Sequence, residues 1–225
     1  RFAHRPDVQV LGLARRVSDF AQDAPNATWL QADLQDAAAT RAALAPHGDT
    51  THVVYAALHE QPGLVQGWRS ADNMALNTRM LAQLLAALDG APLRHLTLLQ
   101  GTKAYGVHTG RPMRVPAREA DALRDHVNFY FDQQDLVERL AARNGMGWTA
   151  LRPQIVLGVA VGSAMNPVAA LGAHAVLCRE RGLPLAYPGH PQLLTECTDA
   201  RLIAQAVEWA WGAPQAQGRA FNIAN

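Results

Sequence analysis

Apolar residues fall into two alternating kinds of run along the chain. Short, nearly continuous runs occupy 8–15 (VQVLGLAR), 27–34 (ATWLQADL), 51–58 (THVVYAAL), 93–100 (LRHLTLLQ) and 148–153 (WTALRP). Runs of this length, bounded by polar and turn residues, predict buried strands. Between them apolar positions recur at helical spacing. Residues 37–48 predict a short helix closed by Pro46 and Gly48. Residues 70–88 predict a long helix whose Met74, Asn77, Leu81 and Leu85 share a face, and 126–140 (HVNFYFDQQDLVERL) a third, with Phe129, Leu136, Val137 and Leu140 as its apolar positions. Beyond Pro153 the pattern loosens into a glycine-rich stretch, a helix over about 167–181, PLAYPG, a helix at 198–211 and a final AFNIAN. Strands alternating with helices predict an α/β chain built on a doubly wound parallel sheet with helices on both faces.

Composition narrows the picture. The 225 residues are 49% hydrophobic and 17% charged, which suits one or two domains with a large core and excludes a disordered chain. A formal net charge of +1 suggests neither a nucleic-acid groove nor an anionic membrane partner. No apolar run reaches transmembrane length, and no basic segment followed by an apolar one marks a signal peptide. Cys178 and Cys197 lie far from any paired spacing, so a cytoplasmic setting without a disulfide framework is expected. The nine histidines include no HExxH and no close cysteine–histidine set, so no metal is expected. The absence of a G-x-S-x-G elbow removes the hydrolase signal.

Open parallel sheets bind ligands beyond the carboxyl ends of their strands, so the residues there carry the chemistry. Arg15 and Arg16 follow the first strand, with no acid between Leu13 and Ser18. Guanidinium groups match the 2′-phosphate of NADP, where an acid would hold the free ribose of NAD. A solvated basic turn would read the same way. Asp33 and Leu34 follow the second strand; Asp33 suits either an adenine amino group or the cap of the next helix. Ala56 and Ala57 leave little bulk after the third. QGTKAYG, after the fourth, contains Gln100, Gly101, Lys103 and Tyr105. Arg152-Pro153 stops the fifth, and the backbone toward Ile155 could approach a flat ring. In many nucleotide-dependent reductases a helical tyrosine precedes a lysine by four residues. Here Tyr130 is followed by Gln134, and the rival Tyr105 by Thr109. Tyr130 is therefore either a core aromatic or a catalyst whose lysine comes from elsewhere.

Taken together and in order, VLGLARR, ADLQD, LLQGTKAYG, NFYFDQQDL, ALRPQIVLG and FNIAN resemble the progesterone 5β-reductase/iridoid synthase-like branch of the extended short-chain dehydrogenases/reductases, over nearly the whole chain. GTK and NFYF are the specific motifs. The family pattern reads asparagine-phenylalanine-tyrosine-tyrosine with the first tyrosine catalytic, which maps onto Tyr130 with Phe131 in place of the second. The family's lysine comes from the loop after the central strand and maps onto Lys103. The resemblance implies a Rossmann-like sheet and NADPH as cofactor, with Tyr130 and Lys103 catalytic. Implied cofactor contacts are Arg15, Arg16, Asp33, Leu34, Ala56, Ala57, Gln100, Gly101, Lys103, Tyr130, Pro153 and Ile155. Trp68, Tyr105, Phe131 and Met165 are expected to line the substrate pocket, walled by loops 58–69, 106–126 and 157–175. Leu64, Val107, Met113, Val161 and Leu171 make those walls apolar, which suits a small apolar carbonyl-containing substrate. The implied activity is reduction of the activated carbon–carbon double bond of an enone. Carbonyl reduction or sugar-nucleotide epimerase/dehydratase chemistry is the alternative, and a non-catalytic NADP-sensing domain is the third reading. A homodimer stays open.

The pattern departs from the family at both ends. No G-x-x-G-x-x-G precedes VQVLGLARR, and relatives continue beyond NIAN. The expected organisation is an NADP-binding part over 1–155, lacking its first strand and glycine-rich turn. A small, incomplete substrate-binding part over 156–225 would be interleaved with it. A polypeptide beginning at Arg1 is therefore expected to misfold or bind NADP(H) poorly, since pyrophosphate needs backbone N–H groups at a helix N-terminus. Calorimetric titration of mass-verified protein checks this; tight binding would refute it.

Overall fold

The computed structural model describes residues 1–16, 24–61, 67, 70–160, 166–187, 189 and 195–225. In chain order the elements are β1 (Val10–Ala14), β2 (Ala27–Gln31), α1 (Ala37–Leu44), β3 (His52–Tyr55), α2 (Ala71–Ala87), β4 (His95–Leu99) and α3 (Phe129–Asn144). They continue with β5 (Gly147–Pro153), β6 (Ile155–Leu157), α4 (Pro167–Glu180), β7 (Cys197–Asp199), α5 (Ala200–Gly212) and β8 (Arg219–Ile223). Every strand pair is parallel. The main sheet has the order β3-β4-β5-β8, while β1-β2 and β6-β7 form separate pairs.

The continuous apolar runs become strands because both faces of the sheet are covered. On one face Leu96, Leu98 and Ala150 pack with Leu81, Leu84 and Leu85 of α2 and Val137 of α3. On the other, Leu151 packs with Ile203 and Val207 of α5. Leu81, Leu96 and Leu151 are fully buried, each contributing roughly 1.5–3 kcal/mol relative to exposure. Met74, Asn77, Leu81 and Leu85, placed on one face by their spacing, are all buried. Residues 156–225 do not stand apart from this layer: β8 extends the main sheet beside β5, with Thr149 opposite Arg219.

Caps set the helix boundaries, and two differ from expectation. Asp36, not Asp33, caps α1, accepting from the amides of Ala38 and Ala39 at 2.9 Å each. Asp33 lies too early; it closes a turn by accepting from Gln35 N–H at 2.9 Å. Helix α3 begins at Phe129 rather than at 126, because the Asn128 side chain takes the Tyr130 N–H at 3.1 Å. It ends at Gly145, whose φ of 77° favours glycine.

The strand edges of β1 and β3 that pair with nothing among the described residues face one cleft of about 1100 Å³. Val10, Leu13, Val53 and Tyr55 line it, with Leu84 and Val207 from the two helix layers. No helix among the described residues is long and apolar enough to cross a membrane. Cys178 and Cys197 are not disulfide-bonded.

One core group makes stability depend on pH. His95 is 2% exposed and touches the hydroxyls of Thr149 and Thr97 at 3.2 and 3.4 Å. Burial, then the charge of His52, pushes its pKa down to about 4. The unfolded chain therefore takes up a proton below about pH 6.5 that the folded chain refuses until about pH 4. The contribution is intact above pH 6.5 and is lost as pH falls toward 4, by up to about 3 kcal/mol. Urea midpoints at pH 7 and pH 4.5 are expected to show this drop, and His95→Gln to flatten it.

Candidate active site

The site forms where β4 ends and α3 begins. After Leu99 come Gln100 and Gly101, then a 3-10 turn over Thr102–Tyr105 that carries Lys103. Gly106 closes that turn at φ 72°, a backbone setting that favours glycine. Asn128 ties this turn to α3. Its side-chain oxygen accepts from Tyr130 N–H at 3.1 Å, and its Nδ2 donates to the Lys103 carbonyl at 2.9 Å. One carboxamide thus fixes both backbones. His126 Nε2 adds a second hold on the same carbonyl at 3.2 Å. The result places the Lys103 ammonium 5.7 Å from the ring centroids of both Phe129 and Tyr130, within cation–π range. The Tyr130 hydroxyl faces Gly101 and the end of β5: a Cβ built on Gly101 would lie 3.4 Å from that hydroxyl and 3.4 Å from the Pro153 carbonyl.

The electrostatics reverse one expectation. A nearby ammonium ought to lower the Tyr130 pKa. Instead Tyr130, 9% exposed, has its phenol pushed up by burial and further by the negative charge of Glu60. The ammonium lies over the ring, and the missing solvation outweighs it. Burial also pushes Lys103 below the usual lysine range, with Glu60 opposing. Glu60 escapes a reading of sequence alone, since a single loop acid carries no periodic or motif signal.

Beneath Tyr130 lies a polar frame. Gln100 Nε2 donates to the Tyr130 carbonyl at 3.2 Å and to Gln134 Oε1 at 3.3 Å. Gln100 Oε1 accepts from Arg152 Nε at 2.9 Å. Arg152, 6% exposed, also donates to the Glu119 carbonyl at 3.2 Å and to the Tyr105 hydroxyl at 3.3 Å. The Tyr105 hydroxyl in turn donates to Asn222 Oδ1 of β8. The rival tyrosine is thus buried with its hydroxyl engaged on both sides. Gln134, at the position where other reductases keep lysine, passes a hydrogen bond to Glu138 at 2.9 Å and takes part in this frame.

The other expected contacts divide into two groups. Arg15, Asp33, Leu34, Ala56 and Ala57 line the cleft between β1 and β3. Arg15 and Arg16 are exposed at the end of β1, whose Arg15 carbonyl accepts from Gln31 Nε2 at 3.1 Å. Leu34 is buried in the core and Ala56 is exposed. Gln100, Gly101, Lys103 and Pro153 gather instead around Tyr130, while Ile155 opens β6. Of the expected pocket residues, Phe131 is buried under the Arg124 guanidinium, 4.9 Å from its ring centroid. Val107 and Leu171 are exposed and Met113 is half-buried. Trp68, Met165, Leu64 and Val161 lie outside the described residues.

The donor set fits a phosphorylated dinucleotide. Arg15 lines the cleft with Arg16 beside it in the chain, both exposed, and the Tyr55 hydroxyl, buried along the cleft, makes no hydrogen bond among the described residues. A parallel α/β sheet with its polar groups collected at the carboxyl strand ends defines a Rossmann-like nucleotide-binding fold. Solved structures agree on the fold. An epimerase from Methanothermobacter thermautotrophicus superposes with a TM-score of 0.71 at 15% identity, covering 96% of this chain and 64% of that one. UDP-glucose 4-epimerase from Thermotoga maritima gives 0.68 at 17% identity, covering 97% and 70%. The model of an NAD(P)H-binding family matches residues 1–160, and the chain belongs to that family. Among curated proteins it is 31% identical over 229 residues to (S)-8-oxocitronellyl enol synthase of Antirrhinum majus. It is 33% identical over 235 residues to 3-oxo-Delta(4,5)-steroid 5-beta-reductase of Arabidopsis thaliana. Each match covers 96% of this chain and 57% of the relative, so the chain spans little more than half their length.

The frame generates a stability prediction. Arg152→Met removes the donor of Gln100 Oε1 and of the Glu119 carbonyl, and is expected to cost about 2–4 kcal/mol. Denaturant unfolding measures it; a loss well under 1 kcal/mol would show that water replaces the guanidinium without penalty.

Proposed function

We propose that the chain forms the nucleotide-binding part of an NADPH-dependent reductase that acts on the activated carbon–carbon double bond of an enone. The observation that carries this reading is the buried phenol of Tyr130 with the Lys103 ammonium 5.7 Å from its ring centroid. The steroid reductase among the relatives is named for a 3-oxo-Delta(4,5)-steroid. A small apolar carbonyl compound of the enone class is the substrate proposed here. Residues 1–155 are assigned to the cofactor and 156–225 to the substrate, within one interleaved body in a cytoplasmic setting.

Bound NADPH would supply a hydride equivalent to the β-carbon of the enone. The chain's own task is to hold charge on the carbonyl oxygen as it becomes an enolate. Tyr130, kept as a neutral phenol, donates a hydrogen bond to that oxygen, and the nearby ammonium stabilises the negative charge. Gly101, without a side chain, keeps the space beside the hydroxyl unfilled where a Cβ would lie 3.4 Å from it. Arg15 and Arg16 would pair with the 2′-phosphate.

In a polypeptide extended to the length of the curated relatives, a cofactor-oxidation assay with enones, ketones and nucleotide sugars tests the reading; turnover confined to ketones or sugars, or none with any substrate, would overturn it. Tyr130→Phe and Lys103→Met are each expected to lower enone turnover by roughly 10²–10³-fold, with the double variant little worse than either. Gln134→Ala should do far less. Near-full turnover in Tyr130→Phe, with loss in Tyr105→Phe, would transfer the role to Tyr105. Because Lys103 sits below its ordinary value of 10.5, turnover should fall as pH rises through that depressed value. Lys103→Arg should move this alkaline limb upward.

Cofactor choice is tested separately. In the same extended polypeptide, replacing Arg15 and Arg16 together with alanine is expected to weaken NADPH binding and spare NADH, as titration calorimetry reads directly. Equal loss for both cofactors would remove the arginines from the 2′-phosphate.

A further inference from the structure

Glu60 lies past the carboxyl end of β3, on a segment that α2 holds against the catalytic pair. The backbone N–H of His59 donates to Asn77 Oδ1 at 2.8 Å, and its carbonyl accepts from Asn77 Nδ2 at 3.0 Å. That carbonyl belongs to the peptide bond joining His59 to Glu60, so one buried carboxamide clamps His59 on both sides and fixes where Glu60 begins. The His59 ring is held as well, with Nδ1 2.9 Å from Asn73 Oδ1. The same stretch of α2 packs on the site: Met74, between the two asparagines, shares an apolar cluster with Ala104, Phe129 and Tyr130. From the other side Gln133, nearly one turn beyond Tyr130 on α3 and 2% exposed, donates to the Asn77 carbonyl at 2.9 Å. The clamp, the Lys103 turn and the start of α3 therefore form one packed unit.

Charge is sparse in this unit. Lys103 is the only lysine among the 225 residues. Tyr130 faces its turn from α3, and the His126 imidazole reaches its carbonyl from the segment before α3. Tyr105 follows in the turn itself, tied to Arg152 and Asn222. None of these is a carboxylate; Glu60 supplies one. Burial weakens the hold of Lys103 on its proton, and Glu60 opposes that loss. The same charge adds to burial in raising the Tyr130 phenol. A carboxylate placed here works against an enolate, since like charges repel. It acts instead as a counter-charge, because a partly desolvated ammonium keeps its proton better with an opposite charge nearby.

We propose that Glu60 is a positioning residue for the reduction: its carboxylate, placed by the Asn73–Asn77 clamp, is the counter-ion of the Lys103 ammonium beside Tyr130. Its place in the reaction rests on the reductase reading above; its place in the fold rests on the clamp. In this role Glu60 acts through Lys103 and has no need to touch the substrate.

The extended polypeptide tests this with a readout that needs no cofactor. Isotopic labelling of lysine Cε gives a resonance for Lys103, recognised by its loss in Lys103→Arg, and NMR follows its titration midpoint. Because a carboxylate raises that midpoint, Glu60→Gln is expected to lower it, by on the order of one pH unit. Glu60→Asp keeps the charge and is expected to keep most of the effect. Enone turnover against pH is then compared, and its alkaline limb is expected to move down with the midpoint in Glu60→Gln. A midpoint that Glu60→Gln leaves in place or raises overturns the pairing, as does an equal fall in Glu60→Asp. A lowered midpoint with an unmoved alkaline limb overturns the role in the reaction while the pairing stands. A lowered midpoint without enone turnover in the unaltered polypeptide supports the pairing and overturns the reductase reading.

Discussion

Gln100 uses both ends of its carboxamide at the junction of β4, β5 and α3. Its oxygen is committed to the Arg152 guanidinium, so its nitrogen must point the other way, to the Tyr130 carbonyl and Gln134. Flipping the amide would set a donor against a guanidinium and an acceptor against a carbonyl. In a buried setting each such mismatch costs of the order of 1–3 kcal/mol. The first turn of α3 is thus positioned by a group on the sheet, and Asn128 then positions the Lys103 turn on α3. The order of dependence runs from strand end to helix start to loop. A charged side chain buried without a carboxylate partner would be expensive in isolation. Here carbonyl and hydroxyl acceptors of Gln100, Glu119 and Tyr105 satisfy it.

Much of this scaffold can be read from sequence because strand burial and helix amphipathicity impose different periods. The runs at 93–100 and 148–153 contain β4 and most of β5, and Met74, Asn77, Leu81 and Leu85 turn inward as their spacing requires. Boundaries depend on single hydrogen bonds and are less legible. Asp33 and Asp36 are equally good caps by type, and only the register of α1 chooses Asp36. The site is legible to a different degree. Lys103 and Tyr130 are 27 positions apart in sequence, and no local periodicity joins them; the resemblance of GTK and NFYF does. Glu60, the Gln100–Arg152 frame and the Asn73–Asn77 clamp leave no trace in pattern, because each is made of isolated polar residues whose partners lie far along the chain.

The two sides of the cleft are held together differently from the rest of the sheet. Within β3-β4-β5-β8 the ladder fixes strand spacing through backbone bonds. Across the cleft, β1 and β3 share no ladder, and their relation depends on side chains: Leu13, Leu30 and Leu34 pack on the core that α2 shares with β3 and β4. Dispersion and burial are less directional than ladder bonds.

The protonation state of Tyr130 connects this geometry to chemistry. A phenol surrounded by Phe129, Met74 and Ala104 loses the solvation that would stabilise its anion, and Glu60 adds a repulsive charge. Burial also weakens the hold of Lys103 on its own proton, with Glu60 opposing. Burial thus raises the phenol and lowers the ammonium, favouring the uncharged form of each. A donor of that kind stabilises an oxyanion that forms in front of it without having to surrender its proton. Conjugate addition of hydride creates such an oxyanion at the carbonyl oxygen while the new C–H bond forms two carbons away. In the proposed reduction that oxygen needs a fixed donor, and the buried Tyr130 phenol beside Lys103 is the group proposed for it.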